Sequence, residues 1–204
     1  MVLIKVCGIT NAQDALAAAE AGADAIGLIF APSPRLIPVD EAQEISDALP
    51  ENILKVGVFV NAALEEVLRV AREVGLDYVQ LHGDEGPEIV SALRDGGVRV
   101  IKALRVRDAS SLEDLTRYRA DLYLLDAYSE KARGGTGERF DWNLAKTLIG
   151  RDNIVVSGGL NPDNVAEAIR VFEPFGVDAS SSLEDSPGEK NDERVRRYIS
   201  AAKG

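Results

Sequence analysis

The feature that most constrains the fold is a regular alternation of eight short apolar runs with eight longer segments of helical period. The apolar runs are rich in Val, Ile and Leu, and they recur about every 20 to 32 residues, as parallel strand–helix–strand units require. The predicted strands are Leu3–Cys7, Ala25–Phe30, Leu54–Val60, Tyr78–Leu81, Val98–Ala103, Leu122–Asp126, Ile154–Ser157 and Gly176–Ala179. The predicted helices are Asn11–Ala21, Val39–Leu49, Leu64–Val74, Pro87–Arg94, Ser110–Tyr118, Trp142–Ile149, Pro162–Val171 and Asp192–Ala202.

Local signals at the ends of several segments support the helix predictions. Glycines Gly22 and Gly75 lie where two helices should stop, because glycine readily adopts the left-handed conformation that ends a helix. Residues that favour the start of a helix, as N-caps or as an early proline, precede or open several of the predicted helices: Thr10/Asn11, Asp40, Asn61 and Asn161-Pro162.

Eight strand–helix units fit either an open doubly wound sheet or a closed barrel, since strands of both are covered on two faces. The even spacing and the lack of a second domain or a long crossover favour a single-domain (β/α)8 (TIM) barrel over residues 1–204. Two longer polar stretches, Pro32–Pro38 and Ala127–Asp141, are interpreted as extended loops that follow strands two and six. Chemistry in such a barrel lies at the carboxyl ends of the strands.

Composition excludes several classes of function. The net charge of −11 argues against a nucleic-acid partner, because phosphate-backbone binding needs clustered Lys and Arg. With 1 Cys and 1 His the chain can form no internal disulfide, and a zinc site is not expected. No run approaches 18 apolar residues, and the N-terminal segment lacks the long apolar core of a signal peptide, so no membrane span and a cytoplasmic location are expected.

Two chemically active side chains close predicted strands. Cys7 ends strand one next to a helix start, where the helix dipole would favour a thiolate, although a lone cysteine also serves as a small buried apolar residue. Asp126 ends strand six, where a carboxylate is costly unless it is solvated, paired or functional; it could also cap the loop that follows. The pair could flank a ligand as base and acid.

The loops after strands seven and eight suit an anion. Gly158-Gly159 precede a predicted helix, and Ser180-Ser181 follow strand eight. Barrels commonly bind phosphate with backbone N–H groups at these two loops, although a glycine pair by itself is more often a turn.

Taken in order along the chain, a set of motifs resembles the phosphoribosylanthranilate isomerase family. They are KVCGIT (5–10), GADAIGLIF (22–30), SPR (33–35), VGVFVN (56–61), VQLHGDE (79–85), LLDA (124–127), GGTGERFDW (134–142), SGGLNPDNV (157–165) and VDASS (177–181). The resemblance implies a sugar-phosphate isomerase that performs an Amadori rearrangement in tryptophan biosynthesis. It implies a small-molecule sugar-phosphate partner and no metal, nucleotide or redox cofactor.

The resemblance also implies roles for individual residues. Cys7 would be the general base and Asp126 the general acid, while the Gly158-Gly159 and Ser180-Ser181 loops would hold the phosphate. Arg35 would meet the substrate carboxylate with its planar guanidinium. One departure is Ser182, where the family usually has Gly; a positive φ there would strain a serine.

Three further residues are predicted at or under the substrate pocket. His82, the single histidine, follows strand four and is interpreted as a positioning or structural residue near the ligand. Lys5 points to the same face as Cys7, and Asp178 lies on the strand that neighbours strand one once a barrel closes. We therefore expect a Lys5–Asp178 ion pair beneath the phosphate.

Other functions compatible with a barrel are a ribulose-phosphate epimerase, the isomerase of histidine biosynthesis, or a phospholigand-binding barrel without turnover. The first would need metal-binding histidines and the second typically pairs two aspartates, whereas this chain has a cysteine at the end of strand one. The presence of both Cys7 and Asp126 argues against the third. The sequence leaves open whether the chain is a monomer or a homodimer.

Overall fold

A computed structural model describes residues 2–106, 115, 117–127 and 152–204. Its sheet is a closed barrel in which each strand pairs in parallel with its neighbours and the eighth pairs with the first, so the predicted (β/α)8 barrel is confirmed. The barrel strands are β1 (Leu3–Cys7), β2 (Ala25–Ile29), β3 (Leu54–Phe59), β4 (Tyr78–Leu81), β5 (Val100–Val106), β6 (Leu122–Ala127), β7 (Ile154–Val156) and β8 (Gly176–Ala179).

Helices follow most of the strands in the described part of the chain. They are α1 (Ala12–Ala21), α2 (Val39–Ala48), α3 (Leu64–Val74), α4 (Pro87–Asp95), α5 (Val165–Phe172) and α6 (Asp192–Lys203). After β8 the chain adds features that the sequence did not predict: a 3-10 turn at Ser181–Leu183 and a small hairpin of β9 (Glu184–Ser186) and β10 (Glu189–Lys190).

Most of the buried apolar side chains form one layer between the barrel and its helices. A second, smaller cluster fills the barrel interior with Ala25, Val56, Ile101, Ala103, Leu122, Leu124 and Val155. Closer to the carboxyl ends of the strands, polar side chains such as Gln80, Asp126 and Asp178 line the mouth beside apolar ones such as Val58. The apolar interior therefore closes the lower part of the barrel and leaves its mouth for polar groups.

The register of β1 sets the geometry of the mouth. Lys5 lies opposite Asp178 on β8, and Cys7 lies opposite Gly27 on β2. A Cβ on Gly27 would stand 2.6 Å from the Cys7 Sγ, so glycine is what allows the thiol to occupy its place. The strand register thus determines which groups surround the cysteine: the Lys5–Asp178 pair two residues earlier and Gly27 beside it.

Some of the predicted helix ends are confirmed. The Asn11 side chain accepts a hydrogen bond from the Asp14 N–H and caps α1, and Gly22 and Gly75 end α1 and α3 with φ of 100° and 68°. The predicted cap at Asp40 is wrong, because this residue lies in the first turn of α2 and the N-cap is Pro38.

Asn61 is not the cap of α3, whose N-cap is Ala63. Its backbone has φ of 53°, and its side-chain oxygen accepts from the Asp84 N–H, so it joins two loops instead.

The predicted start of the seventh helix at Pro162 is also wrong, because α5 begins three residues later. The Asn161 side chain accepts from the Asp163 N–H, and the Asn164 side chain accepts from the Asn161 N–H. Such side-chain bonds compete with the first helical turn.

Several predictions fall outside the described residues. They are the helix Trp142–Ile149, all but Leu115, Arg117 and Tyr118 of the helix Ser110–Tyr118, and all but the first residue of the loop Ala127–Asp141. Among the described helices, none has the length and apolar character to cross a membrane.

Candidate active site

A cavity of about 820 Å³ opens at the carboxyl ends of the strands, where barrel enzymes carry their chemistry. All the site residues predicted from the sequence line it: Cys7, Arg35, His82, Asp126, Gly158, Gly159, Asp178, Ser180 and Ser181. The structure thus brings together side chains from both halves of the chain.

Cys7 ends β1 on the inward face and is buried, with 6% of its surface exposed. Lys5, two residues earlier on the same face, donates from Nζ to Asp178 Oδ1 at 2.9 Å, which confirms the predicted ion pair. Ser157 Oγ lies 3.3 Å from the other oxygen of Asp178. A buried cation and its counter-ion therefore lie directly beneath the thiol.

Burial raises the pKa of the Cys7 thiol, because a thiolate loses water there. Lys5 opposes this effect by charge attraction and by a hydrogen bond to the sulfur, whereas Asp178 adds to it. Burial also disfavours the Lys5 ammonium, but Asp178 and Cys7 outweigh that cost and its pKa is raised. Lys5 is thus a fixed positive charge under a thiol that is neutral at rest.

Asp126 is the penultimate residue of β6, has 4% of its surface exposed and contacts His82. The His82 Nε2 lies 3.1 Å from Asp126 Oδ2, and its Nδ1 lies 2.9 Å from the Gln80 Nε2. Gln80, on β4, is buried, and its own Oε1 has no hydrogen-bond partner among the described residues. The three side chains form a chain that ends on a carboxyl group at the mouth.

A buried ion pair shapes the loop that carries His82. Lys102 on β5 donates from Nζ to the carbonyl oxygens of Leu81 and Gly83 at 3.3 and 2.8 Å and to Glu85 Oε2 at 2.8 Å. The Glu85 carboxylate also accepts the N–H groups of Asn61 and Gly83. These bonds hold the backbone on both sides of His82.

Arg35 lies in the loop after β2 and forms a two-point pair with Glu184. Its Nε and Nη2 donate at 2.8 and 2.7 Å, and Nη1 takes no part in either bond. Lys190 Nζ donates to the same carboxylate at 2.6 Å. A Cβ on Gly8 would stand 2.6 Å from the Arg35 Cδ, so the approach of this side chain requires glycine there.

Opposed effects set the ionisation of this network. Burial by itself would raise the pKa of Glu184, but the hydrogen bonds from Arg35 and Lys190 hold it below its ordinary value. Burial lowers the pKa of Lys190 despite its bond to Glu184. The hydrogen bond to Glu184 raises the pKa of Arg35, which therefore stays a cation at the rim of the cavity.

The glycine pair after β7 forms a turn in the left-handed region of the backbone. Gly158 and Gly159 have φ of 80° and 66°, a region that L side chains rarely occupy. The Asn164 side chain donates to the Gly159 carbonyl oxygen at 2.9 Å and so shapes this turn.

The loop after β8 closes against the glycine turn. The Ser182 hydroxyl donates to the Leu160 carbonyl oxygen, and among the described non-glycine residues positive φ occurs at Asn61 and Glu173 and not at Ser182. The strain considered for this serine is therefore absent. The buried Ser180 hydroxyl has no partner within the described part of the chain, although it lines the cavity.

Sequence reasoning missed four functional neighbours: Gln80, Gly27, Glu184 and Lys190. A glutamine inside an apolar strand, two residues before the single histidine, was a usable signal for the first. Glu184 and Lys190 belong to a hairpin without a strand pattern in the sequence, so only the fold brings them to Arg35.

In the described ranges, no group of three or more His, Cys, Asp or Glu side chains is arranged to hold a metal ion. The motif Gly134–Trp142 lies outside these ranges.

Comparison with known proteins gives consistent results. The family model for N-(5′-phosphoribosyl)anthranilate (PRA) isomerase matches residues 4–201. The chain is 63% identical over 205 residues to the N-(5′-phosphoribosyl)anthranilate isomerase of Rubrobacter xylanophilus, with 100% of both chains covered.

Solved structures agree with the sequence comparison. A phosphoribosyl anthranilate isomerase in complex with reduced 1-(o-carboxyphenylamino)-1-deoxyribulose 5-phosphate superposes with a TM-score of 0.89, 43% identity and 100% of both chains covered. Monomers generated from the dimeric isomerase of Thermotoga maritima superpose with a TM-score of 0.88, 42% identity and the same full coverage.

Proposed function

Because the chain belongs to the N-(5′-phosphoribosyl)anthranilate isomerase family, which catalyses an aldose–ketose rearrangement in tryptophan biosynthesis, we propose that Cys7 is its general base and Asp126 its general acid. The observation that carries this assignment is that both side chains, each at the end of its strand, line one cavity. An acid and a base on either side of one ligand are what the reaction needs.

Asp126 acts as a carboxylic acid in the ring-opening step. It gives its proton to the ribose ring oxygen as the bond from C1′ to that oxygen breaks, and the nitrogen lone pair forms the C=N bond of a Schiff base. Near-complete burial of the Asp126 side chain excludes water from this step.

Cys7 then acts as a thiolate and removes the proton from C2′, which gives an enolamine that tautomerises to the ketone. Burial makes the free thiolate costly, and Lys5 is the charge that offsets this cost. A thiol suits this task better than a hydroxyl, because its pKa lies much nearer to neutrality.

Charged and backbone donors bind the two ends of the substrate. Arg35 is held by Glu184 through Nε and Nη2, so its Nη1 edge can bind the anthranilate carboxylate. The backbone N–H groups of Gly158, Gly159, Ser180 and Ser181 bind the phosphate, assisted by the unpartnered Ser180 hydroxyl. His82 and Asp178 also line the substrate cavity.

The net charge of −11 gives the protein no long-range attraction for a phosphate dianion. Binding therefore relies on these local donors, and we propose no metal or organic cofactor.

Turnover of phosphoribosylanthranilate, followed by the fluorescence of the anthranilate group, tests this function. We expect steady-state turnover, and we expect an excess of the chelator EDTA to leave its rate unchanged, because protein side chains carry the chemistry. Binding without turnover would support a phospholigand-binding barrel. Loss of activity in EDTA that an added divalent ion restores would contradict the metal-free mechanism.

We propose that residues 1–204 act as one catalytic barrel domain, as a monomer or a homodimer. The Thermotoga maritima relative is a dimer from which monomers have been generated. Light scattering of the purified chain distinguishes the two states.

A further inference from the structure

The chemistry of Asp126 poses a question of proton supply. A general acid must carry its proton at neutral pH, yet an ordinary carboxyl group has a pKa of about 4 and is then almost fully ionised. An ordinary imidazole has a pKa of about 6.5 and holds a far larger share of its protons under the same conditions. The single imidazole of the chain, that of His82, has its Nε2 3.1 Å from Asp126 Oδ2.

We propose that His82 stores the proton that Asp126 delivers to the substrate, so that the two side chains act as one acid. This inference rests on the assignment of Asp126 as general acid and makes His82 a positioning residue that acts through it. The imidazolium Nε2–H bond breaks as the proton passes to Asp126 Oδ2, leaving a neutral imidazole and a carboxylic acid. The carboxylic acid gives the same proton to the ribose ring oxygen, and solvent water then reloads the pair.

Gln80 has the chemistry that such a store requires. When its Nε2 faces His82 Nδ1, as at 2.9 Å in the structure, the ring is neutral and its Nε2–H donates to Asp126. When the amide turns by half a rotation, Oε1 accepts from a protonated Nδ1, which an imidazolium needs. Oε1 is buried and has no partner within the described residues, so the turned amide gives this oxygen a donor.

The surroundings give the ring a defined place and a route to solvent. The His82 side chain is 11% exposed and lines the cavity, whereas the Asp126 side chain is 5% exposed. The other titratable side chains that line the cavity in the described ranges are Cys7 on β1, Arg35 after β2 and Asp178 on β8.

Behind His82 the Lys102–Glu85 ion pair is internally neutral. Among the residues that the structure describes, Asp126 is the titratable side chain in hydrogen-bond contact with the ring.

The first test uses the fact that the chain has 1 His. In a protein labelled with ¹⁵N-histidine, the ring nitrogen shifts of His82 report its protonation without any assignment step. Asp126→Asn removes the carboxylate that favours the imidazolium, so we expect the titration midpoint of His82 to fall by about one pH unit or more. An equal titration midpoint in the wild type and in Asp126→Asn would contradict the proposal that His82 stores the proton for Asp126.

The second test is the pH profile of kcat/KM for His82→Gln, whose side-chain amide can still donate to Asp126 but cannot hold the extra proton. In the wild type we expect one limb of the profile to coincide with the His82 midpoint. In the variant that limb should move to lower pH by about one unit or more. The maximal kcat/KM of the variant should fall by no more than about tenfold. If kcat/KM falls equally at every pH, or does not change, the limbs stay in place. That result would indicate a structural role for His82 and contradict the proposal.

Two controls separate this inference from the proposed function. The pH dependence of Cys7 alkylation in His82→Gln should match the wild type, which shows that the base is unaltered. If Asp126→Asn keeps full turnover, the acid assignment itself fails. If Asp126→Asn is inactive while the profile of His82→Gln keeps its wild-type limbs, only the proton store fails.

Discussion

The two sides of the barrel mouth hold different kinds of charge. On the side of the proposed base, formed by Lys5, Cys7 and Asp178 and called the base side below, a buried cation is fixed by its counter-ion at 2.9 Å. On the side of the proposed acid, formed by Gln80, His82 and Asp126 and called the acid side below, the contacts are hydrogen bonds to an imidazole ring.

This difference follows the demands of the reaction. A base must become an anion, and a permanent nearby cation favours that anion where burial removes it from water. An acid must exchange a proton in every turnover, which a titratable partner favours and a fixed charge does not. The variants of Cys7, Asp126, Lys5 and Asp178 described below each disturb one side and leave the other intact.

The largest effect is expected at the base. Cys7→Ala should lower kcat by about 10³-fold or more while the fold is retained, because no other group in the proposal removes the C2′ proton. Cys7→Ser should be nearly as inactive, since a hydroxyl is scarcely ionised near neutral pH. Steady-state fluorescence assays measure both, with circular dichroism as the control for folding, and normal turnover by Cys7→Ser would exclude the thiolate.

The acid side should show a smaller loss. Asp126→Asn keeps the shape of the side chain but has no proton to transfer, so kcat should fall by about 10²-fold or more. The KM should change little, because the amide can still make hydrogen bonds to the ligand. An equal loss in binding and in kcat would indicate that Asp126 holds the substrate instead.

The fixed charges of the base side predict effects of opposite sign. Lys5→Met removes the cation that lowers the Cys7 pKa, so the midpoint for alkylation by iodoacetamide should rise by about one unit. Asp178→Asn removes the charge that raises this pKa, so the midpoint should fall. Thermal melts check that both variants fold, and shifts of the same sign would contradict the arrangement.

The phosphate loops should be sensitive to backbone shape and tolerant of side-chain loss. Gly159 has φ of 66°, so Gly159→Val strains the turn and adds bulk beside the phosphate, and KM should rise about tenfold or more. Ser181→Ala should change KM only about two- to three-fold, because the proposed donor there is the main-chain N–H. Equal effects of the two changes would argue against a main-chain phosphate site.

Much of this architecture could be predicted from the sequence because strand ends carry the chemistry of a barrel. The bounds of β1, β4 and β8 were predicted correctly. Of these strands, β1 carries Cys7 and β8 carries Asp178 to the mouth. The period of apolar residues determines such elements locally.

The errors arose where side chains or distant segments determine the backbone. Asn161 and Asn164 delay α5 by hydrogen bonds that hydrophobic periodicity does not reveal. The Arg35–Glu184 pair joins residues 149 positions apart, and the Ser182 hydroxyl is satisfied by a carbonyl group on another loop. Contacts of this kind depend on the closed barrel.

The most direct test of the account compares two midpoints for Cys7 in the wild type, Lys5→Met and Asp178→Asn. One is the pH at which the thiol becomes reactive toward iodoacetamide, and the other is the corresponding limb of the kcat/KM profile. If the Cys7 thiolate is the base, the two midpoints coincide in all three proteins and move together, upward in Lys5→Met and downward in Asp178→Asn. An alkylation midpoint that moves while both limbs of the kcat/KM profile stay in place would contradict the assignment of Cys7.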